Sequence, residues 1–355
     1  MKLLTVVGAR PQFIKAAMFS RVIRSRCTEI LVHTGQHYDK NMSGYFFDQL
    51  RIPEPDYHLG IKAKHQGEQT ARMIIHLERI LLSEKPDMVL VYGDTNSTLA
   101  GSLAAAKLHI PVAHVEAGLR SYNKTMPEEI NRIMTDHLAT LLFCPTLNAV
   151  KNLVREGIVD HLHLVGDIMY DAVLEHRDLA RQQSPLSKWR LSPQKYILAT
   201  VHRAENTDDP GRLANIFQAL SELDDPVLLP LHPRTKQRLN EWQLKHCLRS
   251  PNITVIEPVH YFDMLVLQSE AKMILTDSGG MQKEAYMLQT PCITMRDETE
   301  WIETVEAGWN HLVGADKERI IQTARHIKTP DKAPPLFGDG KTAQKIADII
   351  FRFLK

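Results

Sequence analysis

The chain carries a series of short, nearly continuous runs of Val, Ile and Leu, and this pattern constrains its fold more than any other feature. Parallel strands that are buried on both faces have this composition, because neither side of the strand meets water. The runs are 3–7, 30–33, 88–92, 112–115, 196–201, 227–231, 273–275 and 291–295. Amphipathic stretches long enough for crossover helices lie between them, such as 69–82, 96–108 and 281–288. Alternating strands and helices predict an α/β fold with parallel sheets covered by helices on both faces.

The runs fall into two series, which predicts two Rossmann-like, doubly wound domains. A polar, proline-containing stretch at 177–194 separates the series. We therefore expect a first domain at 1–176 and a second domain at 177–335. An apolar-periodic segment at 342–353 predicts one terminal helix. With 355 residues, the chain is long enough to build two hydrophobic cores.

Composition excludes several classes of partner. The net charge is +1, so no nucleic acid and no anionic membrane surface is expected to bind. No apolar run approaches the roughly 20 residues of a membrane span. The four cysteines are far apart in the sequence, which indicates reduced thiols in a cytoplasmic protein and no metal site. The glycine motifs of dinucleotide-binding and P-loop proteins are missing from the sequence.

Polar residues follow the predicted strands where each strand ends. In doubly wound sheets the carboxyl ends of the strands form the ligand crevice, so these residues predict a functional site. The segments are 8–11, 34–37, 93–95, 116–120, 202–206, 232–234 and 277–280.

The segment Ser278-Gly279-Gly280 opens a predicted helix and suits a phosphate, because free N–H groups at a helix start bind anions. Glu284 lies one turn further on, where its carboxylate could accept both ribose hydroxyls of a nucleotide. The alternative is an ordinary helix N-cap formed by Asp277 or Ser278.

Three acids of the first series, Asp94, Glu116 and Glu128, follow strand ends or lie in a loop beside one. Each has a structural alternative. Asp94 could cap a helix with Thr95, and Glu116 could be a satisfied acid at a helix start. Glu128, next to Pro127, could serve the helix macrodipole. Together, the structural alternatives do not explain the pattern, and we expect the three carboxylates to meet a substrate.

With these segments, the sequence resembles the non-hydrolysing UDP-N-acetylglucosamine 2-epimerases along essentially its whole length. The matching segments are 8–11 (GARP), 33–37 (HTGQH), 92–95 (YGDT), 114–121 (HVEAGLRS), 127–132 (PEEINR), 202–206 (HRAEN) and 277–285 (DSGGMQKEA). The resemblance implies an isomerase of GT-B-like architecture, in which two Rossmann-like domains face each other across a cleft that holds a UDP-sugar. It also implies a homodimer and a terminal helix, at about 342–355, that returns to the first domain.

The resemblance assigns roles to individual residues and implies no cofactor and no metal. The positions that match UDP-binding residues are Arg10, His202, Ser278, Gly279, Gly280 and Glu284. The positions that match catalytic residues are Asp94, Glu116, Glu128 and His202. Further candidates for contact with the substrate are Gln36, His37, Arg120, Arg203, Asn206, His232, Arg234, Lys283 and Arg296.

Some segments depart from the commonest family pattern and suggest a particular substrate. The chain has Thr-Glu-Trp-Ile-Glu at 299–303 where Thr-Glu-Arg-Pro-Glu is usual, and Lys283 where the family usually has Glu. These departures, with the altered loop at 37–47, resemble the branch that epimerises UDP-2,3-diacetamido-2,3-dideoxy-glucuronate for O-antigen synthesis. Lys283 or Arg296 would then accommodate an anionic sugar. The alternative for Lys283 is a solvated helix residue without a role.

Other functions stay open on sequence grounds. The nearest is a 2-epimerase that converts UDP-GlcNAc to UDP-ManNAc. More distant are a GT-B glycosyltransferase, a hydrolysing epimerase and a UDP-sugar sensor without catalytic activity, because one fold supports many chemistries.

Overall fold

The computed structural model describes residues 1–36, 50, 52–184 and 186–355. The chain divides into two compact units, Met1–Ala172 with Phe337–Lys355, and Val173–Leu336. The division falls inside the helix Ile168–Gln183 rather than in the polar stretch 177–194 that was expected to form the boundary. That stretch is polar over 177–183 because most of this end of the helix is exposed to water.

The described residues of the first unit include seven strands in one parallel sheet, in the order β3-β2-β1-β4-β5-β6-β7. The strands are β1 (Lys2–Val7), β2 (Thr28–His33), β3 (Tyr57–His58), β4 (Met88–Tyr92), β5 (Val112–Val115), β6 (Leu141–Cys144) and β7 (Leu162–Leu164). The helices are α1 (Arg10–Ile23), α2 (Gln66–Glu84), α3 (Asn96–Lys107), α4 (Pro127–Leu138), α5 (Leu147–Arg155) and α6 (Ile168–Gln183), which continues into the second unit. Val6, Val89 and Val91 are fully buried between the sheet and α2 and α3.

The second unit repeats this design with six parallel strands among its described residues, in the order β10-β9-β8-β11-β12-β13. The strands are β8 (Ile197–Thr200), β9 (Val227–Pro230), β10 (Ile253–Ile256), β11 (Met273–Thr276), β12 (Cys292–Thr294) and β13 (Asn310–Leu312). The helices are α7 (Ala204–Thr207), α8 (Pro210–Ser221), α9 (Pro233–Glu241), α10 (Tyr261–Ser269), α11 (Gly279–Met287), α12 (Ile302–Glu306) and α13 (Lys317–His326), with short 3₁₀ turns at Leu186–Trp189 and Leu244–Arg249.

In each sheet the strand order reverses between the first and fourth strands of that sheet. β1 pairs in parallel with both β2 and β4, and β8 pairs in parallel with both β9 and β11. Ligands of doubly wound sheets bind beyond the carboxyl ends of the strands at such a switch point. The prediction of two doubly wound α/β domains is confirmed, and the loops after β1, β4, β8 and β11 are where ligand chemistry is expected.

The last helix, α14 (Thr342–Phe353), belongs to the first unit, as the resemblance implied. Its start is fixed by Asp171, whose carboxylate accepts hydrogen bonds from the backbone N–H groups of Thr342 (3.1 Å) and Ala343 (2.8 Å). Arg26 donates to Asp348 at 2.6 Å and lies 4.1 Å from the centre of the Phe351 ring. Helix α14 therefore packs against the first unit, in which the chain begins. None of the helices within the described ranges has the length and apolar character of a bilayer span.

Candidate active site

In the first unit, Gln12 ties the loop after β1 to the loop after β4. Its side-chain oxygen accepts from the backbone N–H groups of Gly8 (2.8 Å) and Ala9 (3.0 Å), and its amide nitrogen donates to the carbonyl of Tyr92 at 2.6 Å. A Cβ on Gly8 would lie 2.0 Å from Ser97 Oγ, so only glycine fits this approach. Arg10 follows as the half-buried first residue of α1 and lies at the switch point of the sheet.

Gln36 holds the start of α3. Its side-chain oxygen accepts from the backbone N–H (2.9 Å) and hydroxyl (2.7 Å) of Ser97. This oxygen is therefore engaged within the protein, which gives Gln36 a structural role beside its predicted contact with the substrate. His37, the other candidate in this segment, lies outside the described residues.

Asp94 is positioned by α4. Its carboxylate accepts from the Arg132 guanidinium at 2.5 Å, and its backbone carbonyl accepts from the Asn131 amide at 3.0 Å. The N-cap of α3 is Thr95, whose hydroxyl accepts from the N–H of Thr98. The alternative of Asp94 as a helix cap is therefore wrong, and its carboxylate is paired with a cation instead.

Glu116 follows β5 in a backbone conformation that side chains rarely adopt. Its φ is +74°, and its N–H and that of Ala117 both donate to the carbonyl of Phe143 at 3.1 Å. Its carboxylate pairs with Lys15, and both side chains are largely buried. The helix that follows β5 is α4, which begins only at Pro127, so the alternative of an acid at a helix start is wrong. A buried carboxylate is tolerated here because a buried ammonium is its partner.

The loops that carry Asp94 and Glu116 lie against each other. A Cβ built on Gly93 would lie 3.2 Å from Glu116 Oε2 and 3.9 Å from Lys15 Nζ. We call these two segments, 93–95 and 116–121, the acid loops. They place two carboxylates, with their cationic partners, beyond the carboxyl ends of the neighbouring strands β4 and β5.

Glu128 lies in the first turn of α4 and is half-buried. The neighbouring Glu129 is fully buried and takes the structural role, because its carboxylate accepts from the N–H of Ser121 (3.0 Å), the N–H of Tyr122 (2.9 Å) and Arg132 (2.7 Å). Sequence reasoning did not single out Glu129, since a second acid after a proline looks like ordinary helix-start chemistry.

The structure corrects the role expected for Arg120. Its guanidinium is buried and donates to both oxygens of Glu156 (2.7 Å each), to Asp136 (2.7 Å) and to the carbonyl of Leu119 (2.7 Å). Because these bonds use four of its five N–H groups, Arg120 supports the acid loops and is not placed to hold a substrate.

In the second unit, Asp277 organises the loop after β8. Its fully buried carboxylate accepts from the N–H groups of His202 (3.0 Å) and Arg203 (3.0 Å) and from the Asn206 amide (3.2 Å). Asn206 also donates to the carbonyl of Met295 at 2.8 Å and accepts from Arg212 at 3.1 Å. The structure therefore corrects the substrate-contact prediction for Asn206, whose side chain is buried and fully engaged.

His202 is the accessible side chain that this arrangement presents, with 34% of its side chain exposed. Burial of the ring lowers its pKa, and nearby Arg203 and Arg234 act in the same direction, whereas Asp277 opposes them. Burial likewise lowers the pKa of His232, whose ring centre lies 5.4 Å from that of His202. Both rings are expected to be neutral near pH 7, which suits hydrogen bonding better than ion pairing.

The start of α11 has the features of an anion site. Ser278 is the N-cap, and its hydroxyl accepts from the N–H of Met281 at 3.4 Å. The cap alternative is thus correct for Ser278, and it is compatible with anion binding because the N–H groups of the first turn have no partner inside the helix. Glu284 lies one turn later, where its carboxylate accepts from the Gln268 amide at 2.7 Å.

A pocket opens beside this helix start, within the second unit. Its walls include Thr200, His202, His232, Val259, Met264 and Met281. Apolar walls with a few polar groups suit a heterocyclic base.

The expected role of Arg234 is weakened by its contacts. Its guanidinium donates to the Thr207 hydroxyl at 2.7 Å and to Asp208 at 2.5 Å. Its backbone N–H donates to Nδ1 of His232 at 3.2 Å. The backbone of Arg234 therefore helps to orient the His232 ring, and its guanidinium is engaged by Thr207 and Asp208.

Lys283 is buried, with 3% of its surface exposed, so the alternative of a solvated surface residue is wrong. Its ammonium lies 4.7 Å from the centre of the Trp301 ring, a cation–π distance. Arg296 is also buried and donates to Glu300 at 3.0 Å. A Cβ on Gly279 would lie within 3.5–3.9 Å of side-chain atoms of Glu300, Arg203 and Trp301. These three side chains therefore adjoin the start of α11.

A comparison with known families identifies the group of proteins to which this architecture belongs. The model of the UDP-N-acetylglucosamine 2-epimerase family matches residues 22–351. The chain belongs to this family. It is an isomerase that epimerises a UDP-sugar.

Relatives of this epimerase are similar over their full length. The UDP-2,3-diacetamido-2,3-dideoxy-D-glucuronate 2-epimerase of Pseudomonas aeruginosa is 50% identical over 99% of both chains. The UDP-N-acetylglucosamine 2-epimerase of Methanocaldococcus jannaschii is 45% identical over 99% of both chains. A crystal structure of the M. jannaschii UDP-GlcNAc 2-epimerase in complex with UDP-GlcNAc and UDP superimposes with a TM-score of 0.93, at 44% identity, and the alignment covers 99% of this chain and 100% of that one.

Within the epimerase, the described residues contain no group of three or more His, Cys, Asp or Glu side chains placed to hold a metal ion. Sequence reasoning missed the residues that set the charge and position of the site: Lys15, Glu129, Arg132, Asp136 and Asp277. The sequence did mark Asp277 as a site residue, because it directly follows a strand and precedes the glycine turn. Arg132 closes the matching segment 127–132, but nothing in the sequence shows its contact with Asp94, 38 residues away, and no motif marks Lys15, which lies inside a helix 101 residues from Glu116.

Proposed function

We propose that this epimerase inverts C2 of a UDP-2-acetamido sugar by eliminating UDP and adding it back, with UDP-2,3-diacetamido-2,3-dideoxy-glucuronate as substrate and its manno epimer as product. The observation that carries the proposal is the pairing of Asp94 with Arg132 and of Glu116 with Lys15 on adjoining loops. These contacts hold two neighbouring carboxylates in place beside cations, and a carboxylate can take a proton from carbon.

The chemistry needs elimination because C2–H has no neighbouring carbonyl to acidify it. When the C1–O bond breaks, its electron pair leaves with UDP and positive charge develops at C1. The C2 proton then passes to a carboxylate, and its electron pair forms the C1–C2 double bond of a glycal. Re-addition reverses these steps, with a proton delivered to the opposite face of C2. Inversion therefore needs two proton-transfer groups, or one group and a positioned water, and Asp94, Glu116 and Glu128 are proposed to share these transfers.

The departing UDP needs stabilisation of the charge that grows on its β-phosphate. Arg10 is proposed to contribute a positive charge, and the N–H groups at Ser278–Gly280 and a neutral His202 are proposed to donate hydrogen bonds. Glu284, one helical turn from the glycines, is proposed to accept the ribose hydroxyls. The apolar walls at Val259, Met264 and Met281 are proposed to enclose the uracil.

The proposed sugar rests on two supports. One is the 50% identity to the Pseudomonas enzyme named for that substrate. The other is the pair of buried cations, Lys283 and Arg296, whose partners Trp301 and Glu300 adjoin Gly279, since an anionic sugar is attracted by positive charge. One observation favours UDP-GlcNAc, which is neutral at the sugar: Arg296 already has Glu300 as its partner. The cytoplasmic location and the homodimer stay predictions.

We expect turnover in D₂O to place deuterium at C2 of both the substrate and the product pools, because the proton that leaves C2 is replaced from solvent. NMR of the recovered nucleotides after partial conversion measures this exchange. Product formed without deuterium at C2 would contradict elimination. Release of free sugar and UDP would indicate a hydrolysing enzyme, and no reaction without an acceptor would indicate a transferase.

We expect the diacetamido-glucuronate nucleotide to be epimerised with a kcat/KM at least about tenfold above that of UDP-GlcNAc, which corresponds to about 1.4 kcal/mol of differential transition-state binding. Parallel assays with both nucleotides measure the ratio. Lys283→Met, which keeps length and loses charge, is expected to reduce the ratio. A preference for UDP-GlcNAc in the wild-type enzyme would contradict the proposed sugar and leave the epimerase mechanism intact.

A further inference from the structure

Behind the acid loops, four ionisable side chains form a buried network of the first unit: His114, Asp136, Arg120 and Glu156. The side chains of His114, Asp136 and Arg120 are fully buried, and Glu156 lies at the rim. When all four are ionised, two positive charges balance two negative charges. Buried charges are tolerated when they are paired and hydrogen-bonded in this way.

The hydrogen bonds of His114 indicate which of its nitrogens carry protons. Its Nε2 lies 2.7 Å from the carbonyl oxygen of Gly93, which can only accept, so Nε2 carries a proton. Its Nδ1 lies 2.7 Å from one carboxylate oxygen of Asp136. The other oxygen of Asp136 accepts from the N–H of Gly118 at 3.1 Å and from Arg120 at 2.7 Å, as expected of an ionised carboxylate. Nδ1 must then donate, and the ring is an imidazolium.

The surroundings keep this arrangement ionised. Burial alone would raise the pKa of Asp136, but His114 and Arg120 together lower it below its ordinary value. Cys144, on the adjacent strand β6, stays a neutral thiol because burial, assisted by Asp136, raises its pKa to about 12. Another ionisable group, His137, lies near the network, with its Nε2 3.6 Å from a carboxylate oxygen of Glu156 at the rim.

The network holds backbone groups that lie directly beside the acids. Gly93, whose carbonyl accepts from His114, precedes Asp94 and has a φ of +62°. Gly118, whose N–H donates to Asp136, lies two residues after Glu116 and has a φ of +81°. A Cβ on Gly118 would lie 2.4 Å from the carbonyl oxygen of Ala149, so no other residue fits here without a shift of its neighbour.

We propose that His114 and Asp136 form a buried ion pair that positions Asp94 and Glu116, by holding the Gly93 carbonyl and the Gly118 N–H in place. The proposal rests on the proposed function for its catalytic consequence. His114 and Asp136 are positioning residues, because they reach the acids only through the backbone of the acid loops. A neutral ring would point the Nδ1 lone pair at a carboxylate and separate the two loops.

The charge state is tested on the wild-type enzyme by NMR of the protein labelled with ¹⁵N-histidine. We expect one histidine with both ring N–H protons protected from exchange and with the nitrogen shifts of an imidazolium. The signal is assigned by its loss in His114→Gln and by its shift in Asp136→Asn, so one folded variant suffices. A His114 ring with a single N–H would overturn the proposal.

The positioning role is tested by kinetics. His114→Gln is expected to lower kcat by about 100-fold, the size of effect that follows a misplacement of about 1 Å, and to change KM by less than about threefold. Asp136→Asn keeps a hydrogen-bonding side chain of the same shape and is expected to lose about tenfold in kcat. The control is His163→Gln on the edge strand β7, a partly buried histidine of the same sheet, with kcat within about threefold of wild type.

The outcomes separate this proposal from the proposed function. Circular dichroism and Tm establish that each variant is folded before its kinetics are compared. If a folded His114→Gln turns over at the wild-type rate, the positioning role is wrong while epimerisation stands. If the wild-type enzyme shows no exchange at C2 with either nucleotide, the proposed function is wrong, and the NMR result still decides the charge of His114.

Discussion

Replacing Glu116 with glutamine is expected to lower kcat by about 1000-fold, within the range that a positioned acid or base contributes. Glutamine keeps the shape of the side chain and removes its ability to take a proton. The affinity for UDP, measured by calorimetry, is expected to stay within about threefold of wild type, because the proposed UDP contacts lie mainly in the second unit. The substitution also removes the carboxylate that pairs with Lys15, so Tm is expected to fall.

The matched control is Glu29→Gln, the same change at a buried carboxylate of the same sheet. Glu29 accepts from Thr5 (2.8 Å) and Arg24 (2.7 Å). It lies near the amino end of β2, whereas the acid loops follow the carboxyl ends of β4 and β5. It is expected to lose stability and retain turnover. Near-wild-type turnover of Glu116→Gln would remove Glu116 from the proton transfers, and the same comparison applies to Glu128→Gln.

Replacing Asp277 with asparagine is expected to destabilise the protein by about 3 kcal/mol, the typical cost of removing one partner from a buried charged network. The buried carboxylate accepts from the N–H groups of His202 and Arg203 and from Asn206, and an asparagine NH₂ would face some of these donors. Because the loop that presents His202 loses its anchor, the affinity for UDP is expected to fall by about tenfold or more. Denaturant unfolding and calorimetry measure the two effects.

Asp225→Asn is the control for this change, because Asp225 pairs with Lys272 on the surface of the same unit at 2.7 Å. An exposed pair of this kind contributes at most about 1 kcal/mol, so stability and UDP binding are expected to change little. Equal effects of the two substitutions would show that Asp277 acts only through net charge and not through the bonds that anchor the loop.

The strands were predictable because burial on both faces leaves a plain compositional signal. The runs at 88–92 and 112–115 have the bounds that β4 and β5 have in the structure. Two of the strands absent from the predicted runs, β3 and β10, lie at the edges of the sheets. Thr254 and Val255 of β10 are exposed, so no continuous apolar run marks this strand.

The site was predictable only in part, for a physical reason. Chain topology brings the ends of parallel strands together, so Asp94 and Glu116 could be expected to be neighbours. Their partners could not, because Lys15 is 101 residues from Glu116 and Arg132 is 38 residues from Asp94. Arg120 and Asn206 misled the prediction, since a polar residue in a site motif looks the same whether it binds a ligand or holds the loop that does.

Helix α4 also contradicts the usual link between hydrophobicity and burial. Asn131, Arg132 and Asp136 face inward, whereas Ile130 and Met134 are 50% and 47% exposed. The inward polar groups are satisfied by the acid loops and their neighbours, so the unit tolerates them.

This inverted helix has a consequence for protein engineering and directed evolution. Stabilisation protocols fill interiors with aliphatic side chains, and exchanging a whole buried ionic cluster for such side chains can raise the melting temperature. Exchange of the cluster formed by His114, Arg120, Asp136 and Glu156 would remove the anchors of the acid loops. A library selected for heat resistance alone is therefore expected to enrich inactive sequences at this helix, and selection for turnover has to accompany it from the first round.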